Sequence, residues 1–248
     1  MKRALLALCT LALVLGAAPA QADHASGNYY NEFNGNRWNE TINEEVWVSP
    51  EFDTLLTDGE LNNALDTMSN AIGRWVTNTD LDSGVLSLHA LGANFSFENE
   101  WEAASGNDGA FCNAIPEPRT SSIQLEDFRD ISFLDDAALG IGVGCDTNDD
   151  SNNRIDYMVV VINSRYENSL AWWWQNNPTE NRPYDFHGLF MHEFGHGLGS
   201  EHMASPCSHV TENSYETMCN DAFGHTNHTW SRTLETHDIG AANQAYPP

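Results

Sequence analysis

Eleven residues, His192-Glu193-Phe194-Gly195-His196-Gly197-Leu198-Gly199-Ser200-Glu201-His202, constrain the fold more than any other stretch of the 248-residue chain. They fit H-E-x-x-H-x-x-G-x-x-H at every defined position. Histidines four residues apart share one face of an α-helix, so both imidazoles can reach a single ion. Glu193 follows the first of them and therefore lies beside the ion's open position, not on the ion. A helix continuing past Gly199 would carry His202 beyond the ion. The chain must turn there, and glycine adopts φ > 0 without a Cβ clash. The expected arrangement is His192, His196 and His202 as neutral ligands of one Zn²⁺ at about 2.0–2.1 Å, with water in the fourth position. Glu193 is then placed to polarise that water, whose pKa the cation lowers towards about 7. The plain alternative is an amphipathic helix with incidental histidines, which would have to produce ligand, base, ligand, turn and ligand at fixed offsets.

Charge narrows the partners. There are 36 Asp plus Glu against 10 Lys plus Arg, a formal net charge of -26, and a polyanion such as nucleic acid needs a basic footprint that this composition lacks. The 41% hydrophobic and 10% aromatic content supplies a packed core and excludes a disordered acidic tail. Lys2 and Arg3 precede an apolar run from Ala4 to Leu15, and Ala20-Gln21-Ala22 follows, so 1–22 reads as a signal peptide and the protein as secreted or periplasmic. That run is too short to span about 30 Å of hydrocarbon, and no other stretch approaches a membrane span. Removing it takes away Lys2, the only lysine, and leaves an acidic surface suited either to salt or simply to solubility.

Four cysteines remain beyond 1–22: Cys112, Cys145, Cys207 and Cys219. An even number in an exported chain, with no C-x-x-C spacing, reads as two disulfides, the local pairs Cys112–Cys145 and Cys207–Cys219 being favoured among three connectivities.

Residues 23–45 lack an apolar period and read as an N-terminal arm. A single domain is expected over 46–248. Val46-Trp47-Val48 reads as a strand. Asp58 can cap a helix whose apolar positions Leu61, Leu65, Met68, Ile72 and Trp75 recur every three or four residues. Val85–Leu88 and Ser122–Leu125 alternate as strands, Ala138–Gly144 is a glycine-spaced strand, and Tyr157–Ile162 is a β-branched strand buried on both faces. The polar tip between the last two holds Asp146, Asn148 and Asp150, which alternate like calcium ligands. Ser151 stands where an EF-type loop has Gly and no Glu follows at its twelfth position, so a Ca²⁺ loop and a solvated turn both stay open. Trp172-Trp173-Trp174 is either a stacking wall for substrate or a glycan, or ordinary core or loop cover. His187, His209, His225 and His228 read as loop or surface histidines.

The eleven-residue pattern, with Thr217-Met218-Cys219 after it and the segment 233–246 at the end, resembles the metzincin zinc endopeptidases and within them the matrixin-like branch. The resemblance implies an α+β fold, a catalytic domain over 46–248 in which a twisted mixed five-stranded sheet carries an active-site helix and a backing helix in an upper subdomain to about 199, and a small C-terminal lower subdomain over 200–248 ends in a final helix. It implies that Met218 supports the metal site from a turn beneath it. It also implies that Leu139, Gly140, Ile141, Gly142 and Val143 lie on an edge strand pairing with a protein or peptide substrate, the glycines allowing close approach; a glycine-rich interior strand is the plain alternative. The implied activity is that of a secreted zinc-dependent endopeptidase, hydrolysing peptide bonds with a water on the zinc that Glu193 activates. The alternatives are a zinc amidase for cell-wall or other non-protein amides, and a non-catalytic zinc-stabilised surface or adhesion module. The chain departs from the matrixins in lacking a P-R-C-G-x-P-D segment before Val46 and a recognisable structural zinc site. It departs from astacin- and serralysin-like relatives in placing Asn220, not Tyr, two residues after Met218. The sequence fixes no oligomeric state.

Overall fold

A computed structural model describes residues 37–38, 43–79, 85–90, 121–130, 138–145, 154–165, 172–173, 184–202, 217–219 and 232–246. In chain order the elements are β1 (Arg37–Trp38), β2 (Asn43–Val48), α1 (Glu51–Leu55), α2 (Asp58–Asn78), β3 (Val85–Ala90), β4 (Ser122–Glu126), β5 (Gly140–Cys145), β6 (Arg154–Ile155), β7 (Tyr157–Asn163), β8 (Trp172–Trp173), β9 (Tyr184–Asp185), α3 (Phe186–Gly197) and α4 (Thr236–Ala245). The fold is α+β, with helices packed on an open mixed sheet whose spatial order is β3-β2-β4-β7-β5. β2, β3, β4 and β7 are parallel neighbours, and β5 closes one edge antiparallel to β7, with Gly142 opposite Val160.

Periodicity explains which face each strand buries. Val46 and Val48, Ile123 and Leu125, and Met158, Val160 and Ile162 alternate onto one face, where they form the main core with α2 and α3. Val159, Val161 and Gln124 point the other way and are also fully buried. All seven residues of β7 are buried, which accounts for its near-continuous apolar composition. Among the described residues no helix is long and apolar enough to cross a membrane.

α2 buries Leu61, Ala64, Met68, Ala71, Ile72 and Trp75 along one stripe. Its cap is Thr57 and not Asp58: the Thr57 hydroxyl accepts from the Glu60 N–H while the Glu60 carboxylate accepts from the Thr57 N–H. This reciprocal pair satisfies two amides at the helix start, and Asp58 is the first helical residue. The Trp75 indole N–H donates to the Met191 carbonyl at 3.1 Å, tying α2 to α3 in the buried core.

Other boundaries move as well. β2 begins at Asn43, three residues inside the stretch read as an arm, because its backbone pairs with β3 from Asn43 onward. Earlier still, Arg37–Trp38 pairs with Arg154–Ile155, so the end of the loop between β5 and β7 is strand and not tip. Asp146, Asn148 and Asp150 lie outside the described residues, as does Trp174. The backbone of Trp172–Trp173 pairs with Tyr184–Asp185 at the start of α3, roughly 10 Å of helix away from His192.

Candidate metal centre

Asp185 is the N-cap of α3, its carboxylate accepting from the His187 N–H. The same carboxylate takes two hydrogen bonds from the Arg232 guanidinium, at 2.8 and 2.9 Å, which joins the head of α3 to the segment that enters α4. Burial pushes the Asp185 carboxyl above its ordinary value, against the pull of Arg232. His187 is half-buried in the first helical turn, not on a surface loop. Burial, with the charges of Arg232 and Arg74, lowers its pKa to about 4.

The helix is packed closely on nearly every side, and its glycines mark where. A Cβ on Gly195 would stand 2.4 Å from the Met218 sulfur, and one on Gly197 would stand 2.9 Å from the Met158 sulfur. The glycines of β5 face α3 in turn. A Cβ on Gly142 would fall 1.8 Å from the Glu193 carbonyl oxygen, and one on Gly144 would meet Ile155 at 2.6 Å and the Gly197 carbonyl at 3.1 Å. The sequence suggests that these strand glycines make room for a substrate; the structure shows that they make room for the helix.

α3 ends as the sequence requires. Gly199 has φ of 94°, the Gly199 N–H donates to the His196 carbonyl, and the Ser200 N–H donates to the Gly195 carbonyl. These are the two bonds of a Schellman turn, available because glycine tolerates the left-handed conformation. The turn brings His202 back beside the helix.

The Nε2 atoms of His192, His196 and His202 form a triangle with sides of 2.9, 3.1 and 3.1 Å. Nδ1 of His192 lies 2.6 Å from the Thr217 carbonyl, and Nδ1 of His196 lies 2.7 Å from the Ser200 carbonyl. A carbonyl can only accept, so both Nδ1 atoms carry the proton and both Nε2 atoms present lone pairs to each other. Two acceptors 3.1 Å apart with no proton between them repel, and a cation in the triangle removes that repulsion. Nitrogens around a tetrahedral ion at about 2.0–2.1 Å stand about 3.3–3.4 Å apart, close to the observed separations. The donor set and its spacing therefore fit a metal ion held by the three histidines. Burial lowers the pKa of all three. His192 falls well below the usual value, with the neighbouring histidines adding to the effect, and His196 falls to about 4. They are thus neutral at pH 7, the form that ligates.

Glu193 is 6% exposed and lies against β5, with its side chain near Gly140. Burial pushes its carboxyl up to about 8, partly offset by the Gly142 N–H. A cation in the histidine triangle would act in the opposite direction, favouring the carboxylate. The triangle, Glu193 and β5 line one open cleft of about 490 Å³, which also includes Ile141, Val143 and Glu201. β5 is the terminal strand of the sheet on this side, so its outer backbone groups border the cleft.

Met218 is buried beneath α3 against Gly195. Its turn is held from α4: the buried Asp238 carboxylate accepts from the N–H groups of Thr217 and Met218 at 2.9 and 3.2 Å, and from the Glu235 N–H at 2.9 Å. One carboxylate thereby caps α4 and fixes the loop whose carbonyl orients His192. Sequence reading missed Asp238, although a short acidic side chain in the first turn of a helix was the available signal. Cys145 and Cys219 are buried and disulfide-bonded; Cys112 and Cys207 lie outside the described residues. His209, His225 and His228 lie outside them too.

No family model and no curated protein matches this chain. Fold and site together define an α+β protein with a three-histidine cluster, able to hold a metal ion, at the C-terminal end of a helix.

Proposed function

We propose that the chain is a zinc-dependent endopeptidase of metzincin type, matrixin-like, acting outside the cytoplasm on protein or peptide substrates. The observation that carries this reading is the pairing of three histidine Nε2 atoms in a triangle with a buried glutamate beside it, both opening onto a cleft bordered by a strand edge. A structural metal site would instead close all four positions with protein ligands and would have no use for a buried acid next to them.

Zinc held by His192, His196 and His202 would supply Lewis acidity, lowering the pKa of a bound water and polarising a carbonyl oxygen. The residues of the chain do the rest. Thr217 and Ser200 fix the tautomers that aim His192 and His196 at the ion. The edge of β5 borders the cleft, and an extended peptide added along that edge runs past Glu193. Glu193 takes a proton from the attacking water as its oxygen bonds to the amide carbon. It then delivers that proton to the nitrogen as the C–N bond breaks, leaving a carboxylic acid and an amine, between which the second water proton then redistributes. Met218 packs under α3 against Gly195 and supports the helix that carries His192 and His196. The upper and lower parts of the fold, the signal at 1–22 and the two disulfides belong to the same proposal.

The test is cleavage of denatured casein at interior bonds by purified protein. Activity should disappear on dialysis against a chelator and return with one equivalent of zinc per chain. Hydrolysis of muropeptides without cleavage of casein would replace the reading with a zinc amidase.

A further inference from the structure

No residue of α4 lines the cleft, yet side chains near its two ends hydrogen-bond to the two turns whose carbonyls orient the histidines. At its start Asp238 fixes the Thr217–Met218 turn, and Thr217 supplies the carbonyl that faces His192 Nδ1. Just past its other end the Tyr246 hydroxyl donates to the Leu198 carbonyl at 2.6 Å. Leu198 is the buried C-cap of α3, and its carbonyl is one of the groups that a helix end leaves without an intrahelical partner. The next residue is Gly199, at φ of 94°, and the one after it is Ser200, whose carbonyl faces His196 Nδ1. The same turn carries the chain to His202. Tyr246 is itself only 9% exposed, and its backbone N–H is tied to the Ala242 carbonyl, so the phenol is presented from a fixed position.

We propose that Tyr246 is a positioning residue for the metal centre: through the Leu198 carbonyl it locks the glycine turn that aims His196 and delivers His202. With Asp238 at the opposite end, α4 acts as a two-ended brace for the histidine triangle. This inference rests on the metal-site reading but not on the protease reading. Partners that orient a ligand from outside the coordination sphere typically change metal affinity by about 10–100-fold, and a residue one bond further out is expected to change it by about 3–10-fold.

The experiment is Tyr246→Phe in the full chain, which removes one hydroxyl and keeps the ring. Zinc affinity is measured by competition with a chromogenic chelator, and the visible spectrum of the Co²⁺-loaded protein reports ligand geometry. Thr57→Ala, at the cap of α2 and far from the site, serves as a control that also removes a hydroxyl hydrogen bond. The expected result is zinc binding weakened by about 3–10-fold and altered Co²⁺ bands in Tyr246→Phe, with both unchanged in Thr57→Ala. Unchanged affinity and bands in a folded Tyr246→Phe would overturn the proposal and leave the metal site standing. If wild type bound no zinc, the metal-site reading itself would fail. A measurement on wild type alone covers the case in which the variant does not fold. Coupling is reciprocal, so zinc must slow amide hydrogen exchange at Ser200 and Tyr246 together. Slowing at Ser200 with no change at Tyr246 would overturn the proposal equally.

Discussion

Glu193→Gln is expected to reduce peptide hydrolysis by about 10²–10⁴-fold while the protein keeps one metal ion per chain. Glutamine has the shape of glutamate, and its amide oxygen can still accept from the Gly142 N–H that opposes the carboxylate. What it lacks is a site that takes a proton from water and releases it to an amine. His192 and His196 do not depend on this side chain for their orientation: their Nδ1 atoms face the Thr217 and Ser200 carbonyls. Metal content and activity should therefore separate cleanly, read by elemental analysis and by the turnover of a quenched fluorescent peptide. A variant with wild-type turnover and full metal content would remove Glu193 from the mechanism. A variant that lost its metal would show that the glutamate contributes to the site in some other way.

Gly142→Ala is expected to damage the protein more than any other single methyl addition among its described glycines. The new Cβ would fall 1.8 Å from the Glu193 carbonyl oxygen, 2.6 Å from its carbon and 2.9 Å from its Cα, all backbone atoms of α3. Ordinary contact begins near 3.4 Å, so β5 and α3 would have to separate by roughly 1.5 Å, and no rotamer change relieves the clash. Overpacking a core costs about 1–3 kcal/mol when side chains can yield, and at least about 3 kcal/mol is expected here because they cannot. Separation of these elements also moves Glu193 relative to the strand edge, so turnover should fall in whatever fraction stays folded. Gly73→Ala makes the contrast. That glycine lies in the interior of α2 with nothing within 4 Å of its added Cβ, and the change should stabilise by about 0.5–1 kcal/mol. Urea denaturation of the two variants beside wild type checks both signs.

These two glycines show how far the sequence could be read. A glycine every second residue from Gly140 to Gly144 signals close approach by something, but spacing alone cannot name the visitor. A peptide substrate and a helix docked from 50 residues downstream leave the same pattern in the strand. The histidine triangle was legible because its offsets of four and ten residues are local, set by helix pitch and one glycine turn. α2 and β7 were legible for a similar reason, since a long amphipathic stripe and a β-branched run each carry their own period.

The groups that orient the ligands were not legible. Two of them, the carbonyls of Thr217 and Ser200, are backbone atoms with no residue type attached to them. Asp238 and Tyr246 act on turns 20 and 48 positions away in the chain, and the Arg232–Asp185 pair spans 47. Nothing in a single sequence ties such positions together before folding does. The cap of α2 failed on a smaller scale: Thr57 and Asp58 are both acceptable caps, and only the reach of Glu60 back to the Thr57 N–H decides between them.

The central claim is that His192, His196 and His202 hold one zinc ion with its fourth position open beside Glu193. Zinc K-edge X-ray absorption on the stoichiometrically loaded protein tests it most directly. The account predicts four light-atom scatterers at about 2.0–2.1 Å, three of them showing the multiple scattering of imidazole, and none at a zinc–sulfur distance. The imidazole count should drop to two in His202→Ala. A shell with sulfur at about 2.3 Å, or four protein ligands with no water, would contradict it.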